Sequence, residues 1–79
     1  MKNEEVFECF MKGLDAKGLN LRTDGLRIYS YKLCIGYTDR SGKKKVYDYT
    51  APSGNFRSHT TSTHVNALEL LGAKKEAPV

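Results

Sequence analysis

The sequence predicts a single small α+β domain, in which an antiparallel meander of three or four strands is flanked by an N-terminal and a C-terminal helix. Apolar residues recur with a helical period near both ends of the chain, and they alternate with polar residues in the middle. Turn residues separate the alternating runs. With 79 residues, the chain is long enough for one domain only. We therefore expect the order α-β-β-β-α over residues 1–72, followed by a mobile charged tail over residues 73–79.

The first predicted helix runs from about residue 4 to about residue 16. Its apolar stripe has the spacing i, i+1, i+4, i+5 and i+8 and consists of Val6, Phe7, Phe10, Met11 and Leu14. Asn3 is a suitable N-cap, because its side-chain oxygen can accept a hydrogen bond from a backbone N–H of the first turn. Gly18 is the expected C-cap. An aromatic stripe with helical spacing indicates a packed core rather than a binding surface.

Four alternating runs in the middle of the chain predict the strands. The runs span residues 19–23, 26–31, 33–38 and 43–49. They are rich in Tyr, Ile and Val, which favour strands. Asp24-Gly25 separates the first two runs, and Asp39-Arg40-Ser41-Gly42 separates the last two.

The second helix is expected to begin near Thr60 or Thr61, because residues 58–63 are dense in Ser and Thr, which favour N-cap positions. Its apolar positions are Val65, Leu68 and Leu71, with Ala67 and Leu70 beside them, and Gly72 ends it. His64 precedes Leu68 by four residues, so we expect it on or beside the buried stripe.

The charge of the chain is unevenly distributed. The net charge is +4 and the pI is about 9.2. Residues 1–15 carry two bases and four acids, whereas residues 16–79 carry eleven bases and five acids. A basic body of this kind can attract nucleic acid or an acidic protein surface, and it can equally serve solubility alone.

A basic, tyrosine-rich hairpin and sheet is the best candidate binding surface. The candidate residues are Arg27, Lys32, Arg40, Lys43, Lys44, Lys45 and Tyr47. Along a strand, Lys43 and Lys45 point to one face and Lys44 to the other. Bases interleaved with aromatic residues on a sheet can hold phosphates and stack nucleobases. Lysines at turns and sheet edges also prevent aggregation, which is the alternative reason for their presence.

The sequence contains no recognisable catalytic or cofactor motif, so we expect no enzyme, no catalytic residue and no cofactor. Residues 58–64 are dense in hydroxyls and histidine, but no acid lies among them to orient an imidazole. A capped helix start accounts for this run better than a catalytic site. Cys9 and Cys34 are 25 residues apart, so a zinc site formed with His59 and His64 lacks the spacing of a known finger. We expect no metal.

One pattern resembles a family of small uncharacterised phage-encoded domains. It consists of Asp24-Gly25, Leu26, Ser30-Tyr31, Ile35 and then Ser58-x-Thr60-Thr61-x-x-His64. The match covers about residues 24 to 70, and Lys32 departs from it, since the family often has a small residue after the Ser-Tyr pair. The resemblance implies a phage origin, expression in the host bacterial cytoplasm, and action by binding rather than by an established reaction. Either a folding role or a ligand site accounts for Ser58, Thr60, Thr61 and His64.

These observations predict a non-enzymatic binding module. The first expectation is a phage protein that binds and inhibits or redirects a host protein or a defence complex. The alternative is a nucleic-acid-binding protein that uses the basic, tyrosine-rich sheet and hairpin. No apolar run approaches the roughly 20 residues of a membrane span, and no secretory leader is recognisable. A monomer and a homodimer are both compatible with a small core and an exposed sheet edge.

Overall fold

The computed structural model describes residues 2–49 and 58–77, and in this part of the chain two helices cover one face of a six-stranded sheet. The helices are α1 (Asn3–Lys12) and α2 (His59–Leu70). The strands are β1 (Asp15–Lys17), β2 (Leu21–Asp24), β3 (Arg27–Ser30), β4 (Leu33–Thr38), β5 (Lys44–Tyr47) and β6 (Lys74–Glu76). The predicted α+β class is confirmed. No helix in the described ranges is long and apolar enough to cross a membrane.

The sheet has the strand order β1-β2-β3-β4-β5-β6 and is mixed rather than purely antiparallel. Neighbours from β1 to β5 pair antiparallel, whereas β6 pairs parallel to β5 after the chain has passed through α2. The prediction of three or four antiparallel strands was therefore wrong at both edges. Asp15–Lys17 and Lys74–Glu76 are three-residue strands without β-branched or aromatic residues, so they carry no sequence signal for a strand. Lys74–Glu76 belongs to the sheet rather than to the predicted mobile tail.

Helix α1 ends earlier than predicted. Gly13, at φ 77°, provides the left-handed C-cap instead of Gly18. The backbone N–H of Leu14 donates to the Cys9 carbonyl at 2.8 Å, and the chain then enters β1. As a result Leu14, predicted to lie in the core, is 55% exposed. The helix also begins one residue earlier than predicted. Asn3, the predicted N-cap, is its first residue, and Lys2 is the N-cap.

Helix α2 begins at His59, one residue before the predicted start near Thr60 or Thr61, and Ser58 is its N-cap. The Ser58 hydroxyl accepts a hydrogen bond from the backbone N–H of Thr61 at 3.1 Å. Val65 and Leu68 are buried as predicted, but Leu71 is 47% exposed. Leu71 is the C-cap and lies past the last helical residue, so the buried stripe ends before it.

The core lies between the two helices and one face of the sheet. Helix α1 packs over β1 and β2, and α2 packs over β4 and β5. The buried side chains are Val6, Phe7 and Phe10 from α1, Val65 and Leu68 from α2, and Leu21, Ile28, Ile35 and Val46 from the strands, with Tyr49 and Ala73 beside them. The gap between the helices lies over β3, and it contains both a buried polar cluster and an open groove.

The β3–β4 turn is held in a strained conformation. Tyr31 has φ 57°, which makes it the one non-glycine residue with positive φ in the described ranges. Its backbone N–H donates to the Asn20 carbonyl at 2.7 Å. The loop between β1 and β2, which contains Asn20, therefore holds the turn in place. Lys32, which departs from the family pattern, follows Tyr31 and is exposed.

Candidate functional site

The second face of the sheet, here called the open face, carries neither helix. Along each strand, the side chains of the open face alternate with side chains buried under the helices. In β2, for example, exposed Arg22 lies between buried Leu21 and Thr23. Residues of adjacent strands meet on this face in register. One row runs Lys17, Arg22, Tyr29 and Cys34 across β1 to β4. A second row, here called the basic row, runs Arg27, Tyr37, Lys45 and Lys74 across β3 to β6.

A β-bulge keeps both rows on the same face. The register between β3 and β4 shifts between Ile28 and Tyr29, so Ile28 pairs with Gly36 while Tyr29 pairs with Cys34. The extra residue is Ile35, which is fully buried on the helix side. Side chains alternate between the two faces along β4. Without the extra residue, this alternation would place either Tyr37 or Cys34 on the core side of the sheet.

The basic row contains three cations and one tyrosine. Arg27 and Lys45 flank Tyr37 on the two neighbouring strands, and Lys74 follows on β6. Adjacent strands are separated by about 4.8 Å, so the row extends over about 14 Å. A row of this length can contact consecutive anionic groups of an extended ligand.

Two tyrosines form a fixed aromatic patch beside the basic row. The ring centroids of Tyr37 and Tyr47 are 5.5 Å apart, with a 33° angle between the planes. The Tyr37 hydroxyl donates to the Glu76 carboxylate across β5. This hydrogen bond, together with burial, raises the pKa of Tyr37 to about 12, so the hydroxyl stays protonated at neutral pH. The bond restrains the ring of Tyr37 on the open face.

The other row offers a cation stacked on a ring. The Arg22 guanidinium carbon lies 4.2 Å from the centroid of the Tyr29 ring, within the range of a cation–π contact. Because the two residues are cross-strand partners, the sheet itself fixes this pair. A planar guanidinium in this position can stack on a nucleobase or bind a phosphate.

A cleft of about 390 Å³ opens at one end of the basic row, between Arg27 and the ring pair. It is lined by Asp24, Leu26, Arg27, Tyr37, Thr38 and Tyr47. The Asp24 carboxylate accepts backbone N–H groups of Arg27 at 2.8 Å and Leu26 at 2.9 Å. These bonds lower the pKa of Asp24 and tie its carboxylate into the β2–β3 turn.

The described part of the open face carries more positive than negative charge. By register its cations are Lys17, Arg22, Arg27, Lys45 and Lys74, and its acids are Asp15, Asp24 and Glu76. Of these acids, Asp24 is bound to backbone N–H groups and Glu76 to a tyrosine hydroxyl. With five cations and three acids, the face attracts anions, and two of its acids are engaged in the fold.

The structure brings some of the predicted binding residues together and separates others. Arg27, Lys45 and Tyr47 share the open face. Arg40 and Lys43 are exposed in the β4–β5 turn, which Asp39 organises by accepting from the backbone of Ser41 and Lys43 at 2.9 Å each. The turn joins β4 to β5, so along these two strands it lies just beyond Tyr37 and Lys45 of the basic row.

Lys32 and Lys44 lie away from the basic row. Lys32 is in the β3–β4 turn, at the opposite end of β4 from Arg40, so the six residues of β4 separate the two. Lys44 points to the helix side, where its Nζ donates to Thr38 Oγ1 at 2.6 Å and to the Gly25 carbonyl at 3.4 Å. The same Nζ lies 4.8 Å from the centroid of the Phe10 ring, and burial lowers the pKa of Lys44. Lys44 thus stabilises the domain rather than facing a ligand on the open face.

Several residues of the open face were not among the predicted binding residues, namely Lys17, Arg22, Tyr29, Tyr37 and Lys74. Arg22 carries a usable signal, since it alternates with Leu21 and Thr23 and therefore faces away from the core. Lys74 carries none, because its placement depends on the parallel pairing of β6 with β5.

The helix side of the sheet contains a buried hydroxyl–imidazole cluster formed by Ser30, Ser58, Thr61 and His64. The Ser30 hydroxyl lies 2.7 Å from His64 Nδ1 and 3.4 Å from Thr61 Oγ1. The Ser58 hydroxyl donates to Thr61 Oγ1 at 3.1 Å. The His64 ring also meets the Phe7 ring edge-on at 5.9 Å. The cluster ties α2 to β3, and three of the four predicted motif residues belong to it.

This cluster has the residue types of a nucleophile and base, but its burial favours a structural role. Ser30 is 1% exposed and His64 is 3% exposed, so a substrate has no access to the hydroxyl. In the described ranges, the imidazole has no hydrogen bond to a carboxylate that would orient it as a base. Burial lowers the pKa of His64, which favours the neutral ring. Thr60, the remaining motif residue, is half-buried in the first turn of α2.

Among residues 2–49 and 58–77, no three His, Cys, Asp or Glu side chains lie together in a way that could hold a metal ion. Cys9 is half-buried on α1 and Cys34 is half-buried on the open face, and both are free thiols. The Cys2His2 grouping considered from the sequence is therefore not assembled.

Comparisons of the chain with family models, with curated proteins and with solved structures found no match. The expected kinship with phage-encoded domains stays a prediction. The function must be argued from the geometry of the chain itself.

Proposed function

We propose that this chain is a non-enzymatic binding module whose open face binds single-stranded nucleic acid. The basic row is the observation that carries the proposal. It combines three cations in register with a tyrosine, on a sheet face that neither helix covers. From the resemblance to phage-encoded domains, we further propose that it acts in the host bacterial cytoplasm.

The electrostatic part of the proposal rests on Arg27, Lys45 and Lys74. Their spacing follows the spacing of the strands, so an extended strand of nucleic acid lying across β3 to β6 meets the three cations in turn. Neutralising phosphates releases condensed counterions, which supplies most of the affinity at low salt. Arg40 and Lys43 in the adjoining β4–β5 turn extend the positive surface.

The aromatic part of the proposal rests on the Tyr37–Tyr47 pair and on the Arg22–Tyr29 stack. Stacking of a base on an aromatic side chain contributes about 1–3 kcal/mol and tolerates any base. The Glu76 hydrogen bond fixes Tyr37, so little conformational entropy is lost on binding. The expected ligand is therefore a single strand with exposed bases rather than a duplex.

A host protein as the partner was the first expectation, and tyrosine and arginine are also frequent at protein interfaces. The excess of cations on the open face favours nucleic acid there. The two partners differ in salt dependence, because phosphate binding weakens steeply as salt rises while an aromatic protein interface weakens less.

The test is fluorescence anisotropy with labelled single-stranded RNA and DNA of about 12 nucleotides, and a duplex of the same length. Three phosphate contacts predict a log–log salt slope of about −2, which is a loss of about 20-fold in affinity from about 50 to about 200 mM salt. Lys45→Gln should reduce the magnitude of that slope by about 0.7. Lys12→Gln is the matched control, because it removes the same charge from the end of α1 on the other side of the sheet.

Three outcomes would contradict the proposal. The first is an absence of binding to either single strand at the lower salt concentration. The second is an equal effect of Lys45→Gln and Lys12→Gln, which would reduce the interaction to net charge. The third is the capture of one host protein by the open face. This capture would survive nuclease and high salt, and Tyr47→Ala would abolish it.

A further inference from the structure

The opposite side of the molecule contains a second surface, a groove of about 390 Å³ between α1 and α2. The apolar lining of this helix groove consists of Phe7, Ala67, Leu70 and Leu71. Its polar lining consists of Asn3, Glu4 and Glu8 on α1 and Thr63 and His64 on α2. It is separated from the open face by the thickness of the sheet. It therefore concerns a partner different from the nucleic acid proposed above.

Two leucines that line the groove are exposed to solvent. Leu70 is 89% exposed and Leu71 is 47% exposed, and both lie at the end of α2. Exposed large apolar side chains that adjoin an apolar groove mark an interaction surface, whereas single scattered ones do not. Leu70 and Leu71 meet this condition because Phe7 and Ala67 continue the apolar surface inward.

The charge on the groove is of one sign. The two charged side chains that line it, Glu4 and Glu8, are both acids, and they are one helical turn apart on α1. A complementary partner would contact the apolar lining with apolar residues and would place Lys or Arg beside Glu4 and Glu8.

We propose that the helix groove binds a basic amphipathic helix of a partner protein. The lining residues extend from Asn3 to Glu8 on α1 and from Thr63 to Leu71 at the end of α2, so the groove is about 8–12 Å long, or about two turns of a bound helix. Apolar side chains at i, i+3 or i+4 and i+7 would contact Phe7, Leu70 and Leu71, as in other helix-in-groove complexes. Lysines beside this stripe would face Glu4 and Glu8.

A second copy of this chain does not fit the groove as well. Helix α1 contains three glutamates and one lysine, and α2 contains one glutamate and no lysine or arginine. Neither helix presents a basic edge to Glu4 and Glu8, so docking of one copy onto another would bring acids together. The partner must therefore supply the cations.

The test uses two labelled peptides of about 14 residues, which is about 21 Å as a helix. Both have leucines at i, i+3 and i+7; one has lysines along the edge of this stripe and the other has glutamates there. We expect the lysine peptide to bind the full chain in fluorescence anisotropy, and the glutamate peptide to bind at least about tenfold more weakly. Leu70→Gln should reduce binding of the lysine peptide about tenfold. Leu19→Gln is the matched control, because Leu19 is 93% exposed and lies between β1 and β2, outside the groove.

Thermal unfolding of each variant verifies that the domain is intact, which is expected since both leucines are exposed. A dissociation constant above about 1 mM for the lysine peptide would overturn the proposal. Equal binding of the two peptides, or equal loss in Leu70→Gln and Leu19→Gln, would overturn it as well. Concentration-dependent dimerisation abolished by Leu70→Gln would assign the groove to a second copy and contradict a basic partner.

Discussion

The two faces of the sheet use similar side chains in opposite ways. On the helix-covered face, the polar groups Ser30, Thr61, His64 and Lys44 bond to one another or to neighbouring groups of the domain. On the open face, Arg27 and Lys45 flank Tyr37, and the face carries excess positive charge. The polar groups of the covered face are therefore paired within the fold, whereas the excess cations of the open face are available to the anionic partner that we propose.

Lys44 and Lys45 show the difference most directly, because they are adjacent in sequence and identical in chemistry. The period of a strand sends one towards Phe10 and the other to the open face. Their different surroundings, rather than their charge, separate the stabilising role of Lys44 from the binding role that we propose for Lys45. Counting bases in a sequence cannot make this distinction unless the face of each residue is known.

The largest expected effect concerns the covered face. His64→Ala removes the 2.7 Å contact with Ser30 and leaves a cavity beside Phe7. We expect a loss of about 2–4 kcal/mol in the free energy of unfolding, measured by urea denaturation. His59→Ala, at the exposed first position of α2, should change it by less than about 0.5 kcal/mol. Equal effects of the two changes would contradict a role of the cluster in holding α2 to β3.

The same histidine predicts a pH dependence. Burial lowers the pKa of His64 from its usual 6.5, so the unfolded chain takes up the proton first as the pH falls. This contribution to stability is complete above about pH 6.5 and is lost as the pH falls from there towards the lowered pKa. His64→Gln should reduce the loss of stability between neutral and mildly acidic pH. An unchanged pH profile in this variant would assign the acid sensitivity to other groups.

A smaller effect should separate the two lysines. Lys44→Met removes hydrogen bonds to Thr38 and Gly25 and should lower the free energy of unfolding by about 1–2 kcal/mol, with little change in the salt slope of nucleic-acid binding. Lys45→Met should change stability by less than about 0.5 kcal/mol and reduce that slope. Urea denaturation and anisotropy on both variants provide the measurement. The reverse pattern would exchange the roles assigned to the two faces.

The central strands could be predicted from the sequence because their alternation is strong. Leu21, Ile28 and Val46 alternate with polar or aromatic residues, and the turn at Asp24-Gly25 is distinctive. The end of α1 was predicted too late, because Gly13 and Gly18 carry the same signal for a C-cap. Strands β1 and β6 could not be predicted, since their residues are mostly polar and only pairing with a neighbouring strand fixes them.

The candidate site could be predicted only in part for the same reason. The position of Arg27 relative to Lys45 depends on antiparallel pairing between neighbouring strands, which the meander already implies. Lys74 reaches the basic row through parallel pairing after α2, and no local pattern indicates this. Lys32 was grouped with Arg40 because both are basic. The two residues lie in turns at opposite ends of β4, so the strand separates them.

The most direct test of the division between the two faces is a ¹H–¹⁵N NMR titration of the full chain with the single-stranded oligonucleotide. We predict that the largest chemical-shift changes occur at Arg22, Arg27, Tyr37 and Lys45 on the open face. Resonances of α2, including His64 and Leu68, should change little. Changes concentrated on α1 and α2, with the open-face resonances unaffected, would contradict the assignment of the open face as the nucleic-acid interface.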